Sequence, residues 1–407
     1  MSKSSKLKGG QAAVQALKKE KTTHVFGLIG SATMEIFDAL YNEKDIKFIG
    51  VRDERTGSHM ADGYARASNR PRIILAGQNG PGATNLVTGI AQAAAAISPV
   101  ISIAGFISTK DKIQDAFQGV DQQSLFKPIT KKTWTIRKTK NIPKIFSRAF
   151  NLAMSPRRGP VQLNLPRNIL AETSKFNFNK NEKSFKTIET TKGKNSDIKK
   201  AVNIISSAVK PVIIVGGGIK YSGNYQEVIK LAELINVPLV TSAGHGDAVP
   251  FNYKLNAGQM GPRGNPVASR LVKEADVIIA FGTRLGFNST FFSYENLNKK
   301  AKIIQVELER KMLGRYFPIS VGICADASTV AKQLCNKIKI NKLSKQIDNW
   351  TKKYLHERAG YLKTRDKVTD KFPIQPTNLF KQLEIFYQKI RQSLSMLVLY
   401  VFRLRML

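Results

Sequence analysis

The stretch PRIILAGQNGPGATNLVTGIAQAAAAISPVISIAGF, residues 71–106, reads as strand, loop, helix and strand. RIILA is a short, continuous apolar run, the pattern of a strand buried on both faces. NLVTGIAQAAAA is dominated by good helix formers and is long enough for a helix. PVISIAGF is a second buried strand. A helix between two such strands carries the chain back across the sheet, so the strands run parallel. The loop GQNGPGATN, residues 77–85, joins the first strand to the helix. Its Gly80 and Gly82 allow close backbone approach, and Pro81 stiffens the turn.

The same alternation extends in both directions. THVFGLIG (23–30) and IKFIGV (46–51) read as strands, and SATMEIFDALYNE (31–43) and TGSHMADGYARAS (56–68) as helices, with Ser31 placed to cap its helix. VQLNLP (161–166) adds a further buried strand. Residues 174–196 open a polar, Lys-rich, aperiodic stretch that reads as a linker. Beyond it, PVIIVGGGI, VPLVTSAG, ADVIIAFGTRLG and KIIQVEL are strands separated by helical patterns. The expected fold class is α/β: two doubly wound, Rossmann-like parallel-sheet domains, residues 1–173 and 197–340. Residues 341–407 read as a linker and the start of a third domain, with FPIQPTNLFKQLE (372–384) as its opening. The following IFYQKIRQSLSMLVLYVFRLRML has no glycine, turn signal or acid, so the third domain is expected to be truncated.

Composition sets the class of protein. The chain has 407 residues, 42% of them hydrophobic, enough for two or three cores. Two cysteines make no disulfide framework, and no signal peptide or apolar span is visible. A cytoplasmic protein that avoids the membrane is expected. The net charge is +36, but the lysines are scattered and interleave with no aromatic pattern, so nucleic acid is not an expected partner. No zinc spacing occurs. His24 and His59 belong to no pattern of partners and are read as structural.

Three consecutive strand ends carry glycines or a carboxylate: GLIGSA (27–32), VRDE (51–54) and GQNGPGATN. In a parallel sheet all three open on one edge, the usual place for a site. HVFGLIGSA, VRDERTGSHMADGYARAS, GQNGPGATN and DAFQGVDQ, in this order across residues 10–172, resemble the pyrimidine-binding domain of thiamine-diphosphate enzymes of the acetolactate synthase family.

The resemblance implies roles for particular residues. Glu54, placed by its distance to ADGYAR, would be the catalytic carboxylate that shares a proton with the cofactor's pyrimidine; Asp53 is read as part of a surface ion pair with Arg52 and Arg55. Gly30, Ser31, Gly80, Pro81, Gly82, Asn85 and Gln118 would lie against the cofactor, and Lys131 on the substrate side. In the central domain Gly216, Gly217, Gly218, Arg263, Thr283 and Arg284 fall where relatives hold FAD or ADP, although GGGIKYSG does not satisfy the dinucleotide fingerprint. The family binds the diphosphate through Mg²⁺, with ligands in a third domain that this sequence lacks, so no metal ligand is assigned. This chain would then offer half a site and bind cofactor poorly. The family also implies a homodimer or homotetramer, or assembly with a full-length partner subunit.

GLIGSA, GQNGPG, GTRLG and VGICADA resemble sulfoacetaldehyde acetyltransferase more than the acetolactate synthases. The expected reaction is therefore sulfoacetaldehyde plus phosphate giving acetyl phosphate and sulfite. The alternatives are pyruvate decarboxylation and carboligation by an acetolactate synthase large subunit, and a non-catalytic nucleotide-binding subunit.

Overall fold

The computed structural model describes residues 5–110, 116–176, 178, 191–340 and 343–365, together with 378, 379 and 383. The chain divides into two units between residues 188 and 189.

The first unit contains β1 (Ser5–Lys8), α1 (Gly9–Lys19), β2 (His24–Leu28), α2 (Met34–Tyr41), β3 (Lys47–Gly50), α3 (Glu54–Ser68), β4 (Arg72–Ala76), α4 (Pro81–Ala95) and β5 (Val100–Phe106). It continues with α5 (Gln122–Phe126), β6 (Thr133–Thr135), α6 (Ile142–Met154), β7 (Val161–Pro166), α7 (Arg167–Ala171) and β8 (Thr173–Phe176). A six-stranded sheet has the order β3-β2-β4-β5-β7-β6, with every pair parallel. All positions of β4 and β7 are buried; in β7 the two polar residues, Gln162 and Asn164, lie inside and hydrogen-bond to each other at 3.0 Å. Ile73, Leu75, Ile101, Ile103, Leu163 and Leu165 face α1, α2 and α6. Ile74, Ala76, Val100 and Ala104 face α3, α4 and Phe126 of α5. The direction of strand addition reverses between β2 and β4, which opens a crevice at their C-terminal ends.

The second unit contains α8 (Asn195–Ser206), β9 (Pro211–Val215), α9 (Gly217–Ser222), α10 (Gln226–Leu234), β10 (Leu239–Thr241), β11 (Asn256–Gln259) and α11 (Pro266–Glu274). Then come β12 (Val277–Phe281), α12 (Phe287–Thr290), β13 (Lys302–Glu307), β14 (Val321–Cys324), α13 (Ala327–Cys335) and α14 (Gln346–Arg365). Its sheet order is β11-β10-β9-β12-β13-β14, again all parallel, with the reversal between β9 and β12. The α/β expectation of two doubly wound parallel sheets is therefore met.

Two boundaries differ from the sequence reading. The stretch read as linker from residue 174 begins as strand: β8 pairs antiparallel with β1, and Phe176 is buried. The region after residue 340 also contributes to the second core. Trp350 and Tyr354 of α14 are buried there, and the Trp350 indole donates to the Pro211 carbonyl at 3.0 Å. The expected opening of a third domain at 372–384 and the tail after it lie outside the described residues, 378, 379 and 383 excepted.

Candidate active site

At the C-terminal edge of the first sheet the loops after β2 and β4 cross backbone to backbone. Gly77 N–H donates to the Leu28 carbonyl at 2.9 Å, and a Cβ added to Gly77 would stand 2.0 Å from the Gly30 nitrogen. No side chain fits at either crossing position. The Gln78 Oε1 accepts from Ser31 Oγ and from the Ala32 N–H, both at 3.1 Å. Ser31 therefore does not cap α2 as its position suggests; a short 3-10 turn intervenes and Gln78 engages its hydroxyl.

Glu54 is the first residue of α3. Asp53 caps that helix, accepting from the Arg55 N–H at 2.7 Å, and its carboxylate lies 3.6 Å from the Arg55 guanidinium. The neighbouring Glu54 is only 5% exposed. Its Oε2 accepts from Asn85 Nδ2 at 3.0 Å, while Oε1 has no hydrogen-bond donor among the described residues. A Cβ on Gly82 would approach Oε1 to 3.2 Å, so glycine there leaves that oxygen room.

The α3–α4 contact fixes this geometry. Both helices start at the same sheet edge and run side by side. Glu54, Ser58 and Asp62 recur every four residues on one face of α3. They meet Asn85, Gly89 and Gln92 of α4 in turn. Asp62 is fully buried and holds Arg66 at 2.8 Å and the Gln92 amide at 3.0 Å.

Gly80 has φ +51°, and a Cβ there would lie 2.5 Å from the Gln118 carbonyl. Asn79 Nδ2 donates to that carbonyl at 2.9 Å and to the Phe117 carbonyl at 3.3 Å. Gln118 itself has φ +56°, and its Oε1 is buried without a hydrogen-bond partner among the described residues. The structure thus brings Gly30, Ser31, Glu54, Gly80, Pro81, Gly82, Asn85 and Gln118 to one edge. Sequence reading missed Gln78 and Asn79. Their signal is two amide side chains within a glycine loop, able to tie neighbouring loops together.

Lys131 is not brought to this edge. It precedes β6, its backbone N–H donates to the Pro160 carbonyl just before β7, and its ammonium donates to Ser155 at the end of α6. These are the N-terminal ends of parallel strands, opposite Glu54.

In the second unit the glycines after β9 and β12 interlock at the strand-order reversal. Gly216 N–H donates to Phe281 O and Gly218 N–H to Gly282 O, both at 2.9 Å. Added Cβ atoms on Gly216 and Gly218 would lie 2.4 and 2.5 Å from Gly282 atoms, and one on Gly217 would lie 2.7 Å from the His245 ring. Thr283 is buried and its carbonyl accepts from Gln305 at 3.1 Å. Arg263 is exposed and Arg284 half-buried. Packing between loops accounts for these glycines, so they are not in themselves evidence for a nucleotide. Among the described residues no cluster of His, Cys, Asp and Glu could hold a metal ion, and no helix is long and apolar enough to cross a membrane.

Comparison with known proteins follows the same division. Residues 7–125 match the N-terminal TPP binding domain of thiamine pyrophosphate enzymes, and residues 198–334 match their central domain. A probable acetolactate synthase large subunit of Methanococcus aeolicus is 34% identical over 388 residues, covering 93% of this chain and 64% of that protein. The acetolactate synthase large subunit of Buchnera aphidicola from Schizaphis graminum is 35% identical over 351 residues, 84% of this chain and 60% of its own length. Sulfoacetaldehyde acetyltransferase of Alcaligenes xylosoxydans xylosoxydans is 33% identical over 378 residues, 88% and 61%. The chain thus spans between 60% and 64% of the length of these relatives. The acetolactate synthases stand slightly above the acetyltransferase, reversing the order read from four short motifs, which sample few positions. Residues 7–125 and 198–334 are therefore the N-terminal cofactor-binding domain and the central domain of the thiamine pyrophosphate enzyme family.

Proposed function

We propose that the chain is the large subunit of a thiamine-diphosphate-dependent carboligase of the acetolactate synthase kind, which decarboxylates pyruvate and joins the two-carbon unit to a second 2-oxo acid. The observation that carries this reading is the buried Glu54 carboxylate, held by Asn85 through one oxygen and left without a donor at the other among the described residues. Bound thiamine diphosphate supplies a thiazolium carbon nucleophile and an electron sink for decarboxylation. Glu54 Oε1 is the atom at which this chain would hold a proton shared with the pyrimidine ring. Asn85 keeps the carboxylate from rotating. Gly80 and Gly82 keep the approach clear, and Gln118 offers a buried carbonyl oxygen with no partner among the described residues. These features fit the cofactor's pyrimidine half. The described residues do not fit Mg²⁺, so no step is routed through it.

The relatives named as large subunits support assembly with a second kind of chain or with further copies of this one. A second reading, sulfite release from sulfoacetaldehyde, rests on the acetyltransferase relative and on GLIGSA and GTRLG.

The test is turnover by the purified protein with whatever chain co-purifies, supplied with thiamine diphosphate and Mg²⁺. Acetolactate from pyruvate and sulfite from sulfoacetaldehyde are measured in parallel. Glu54→Gln is expected to lower turnover by about 10²-fold or more with the circular dichroism unchanged. Undiminished turnover in that variant would remove the reading.

A further inference from the structure

The opposite edge of the first sheet carries a polar cluster that the cofactor reading leaves unused. Lys47, His24 and Arg72 are the first residues of β3, β2 and β4. His24 is the register partner of Lys47, and Val25 of Ile73, so the three form a row across adjacent strands on the face that α3 covers. Near its end α3 places Tyr64 over this row. The Arg72 guanidinium lies 3.8 Å from the centre of the Tyr64 ring, and the His24 ring meets the same ring edge-on at 5.3 Å.

Arg72 is 7% exposed. Its Nε donates to Ser68 Oγ at 3.0 Å and its Nη1 to Thr23 Oγ1 at 3.4 Å. Both partners are neutral, and no carboxylate contacts Arg72, Lys47 or His24 among the described residues. A buried guanidinium without a counter-charge is costly, and hydroxyls and a ring face offset only part of that cost. Burial first, and then the charges of Arg72 and Lys47, hold His24 below the usual histidine range. Its Nδ1 lies 2.9 Å from Thr23 Oγ1 and 3.3 Å from the Tyr64 hydroxyl, both able to donate to it. This arrangement leaves the ring proton on Nε2, where an anion would be met by an N–H donor. Lys47 and Arg72 stand one strand spacing to either side, about 4.8 Å, well within the reach of their side chains.

We propose that Lys47, His24 and Arg72 form a binding site for a tetrahedral oxyanion, inorganic phosphate or a phosphate monoester. Three donors of different length in one cross-strand row suit an anion with at least three acceptor oxygens, and the anion supplies the charge that Arg72 lacks. β2 is five residues long, so the site sits about 15 Å from the Glu54 edge at about 3.3 Å per residue and stands or falls independently of the cofactor.

The chain has four histidines, so ring titrations can be followed by NMR, with His24→Gln giving the assignment. In about 20 mM inorganic phosphate the His24 midpoint is expected to rise by about one unit over chloride of equal ionic strength, with the other histidines unmoved. Glycerol phosphate in a second arm tests whether an esterified group enters; an equal rise supports the monoester, and a rise with inorganic phosphate alone restricts the site to the free ion. Lys47→Gln, an exposed change that spares the core, should reduce the rise, and Arg72→Gln should abolish it. Identical midpoints in phosphate and chloride, or a full rise in Lys47→Gln, would overturn the proposal.

Discussion

Replacing Gly89 by alanine separates two opposing effects. On helix propensity alone the change is favourable, by about 1 kcal/mol in a helix interior. The contact with α3 opposes it. A Cβ at position 89 would lie 1.9 Å from Ser58 Oγ and 2.6 Å from Ser58 Cβ. Ser58 is fully buried, and its hydroxyl donates to the Arg55 carbonyl at 2.7 Å, so turning the side chain away would break that bond inside the core. Carbon atoms rest at about 3.5–4.0 Å, so α4 must move from α3 by about 1 Å. Overpacking of this size costs about 1–3 kcal/mol. The upper part of that range applies, because the Glu54–Asn85 and Asp62–Gln92 hydrogen bonds flank the contact and stretch with it. The net expectation is a loss of about 1–2 kcal/mol. Combining Gly89→Ala with Ser58→Gly exchanges the small residue between the helices and should recover about 1 kcal/mol or more. Urea unfolding followed by circular dichroism gives the free energies, and hydrogen exchange of peptides from residues 54–95 assigns them to this helix pair. A Gly89→Ala variant more stable than its parent would show that the helices do not approach as described.

Two further outcomes concern the same unit. Asp62→Ala removes the buried partner of Arg66 and Gln92 and should cost about 3 kcal/mol, the low end for a broken buried pair because the Arg66 side chain keeps 19% exposure; a urea midpoint unchanged from the parent would refute it. Ile97 follows α4 with φ +60°, in a left-handed turn closed by Ile97 N–H to Ala94 O at 3.2 Å and Ser98 N–H to Ala93 O at 2.8 Å. Ile97→Gly relieves a penalty of about 1–2 kcal/mol against about 0.5–1 kcal/mol of added chain entropy, so Tm should rise, and a fall would contradict the strain.

The buried centre of each sheet was legible in the sequence. RIILA, PVISIAGF, PVIIV and DVIIAF are apolar runs, and VQLNLP and KIIQVEL largely so, because helices cover both faces of the strands they form. The edges were not. β6 is Thr-Trp-Thr, β11 is Asn-Ala-Gly-Gln and β14 is Val-Gly-Ile-Cys, too short or too polar to carry a period. β1 and β8 pair across the whole first unit, and neither segment has an apolar pattern of its own. The edge that gathers Glu54 and the glycine loops followed from parallel topology alone. The partnership of Glu54 with Asn85, 31 residues away, needed the packing of two helices, and so did the distance of Lys131 from that edge.

The four-residue spacing of Glu54, Ser58 and Asp62 has an evolutionary reading. One residue inserted or deleted between positions 54 and 62 would swing one end of α3 by about 100° relative to the other. Either the acid or the buried ion pair would then leave the seam with α4. A change of length in this segment would therefore disrupt the helix contact and, with it, the role proposed for Glu54, whereas exchange of the acid alone leaves the Ser58–Gly89 and Asp62–Gln92 contacts in place. A lineage that abandoned catalysis would be expected to preserve the length of this segment long after position 54 had drifted.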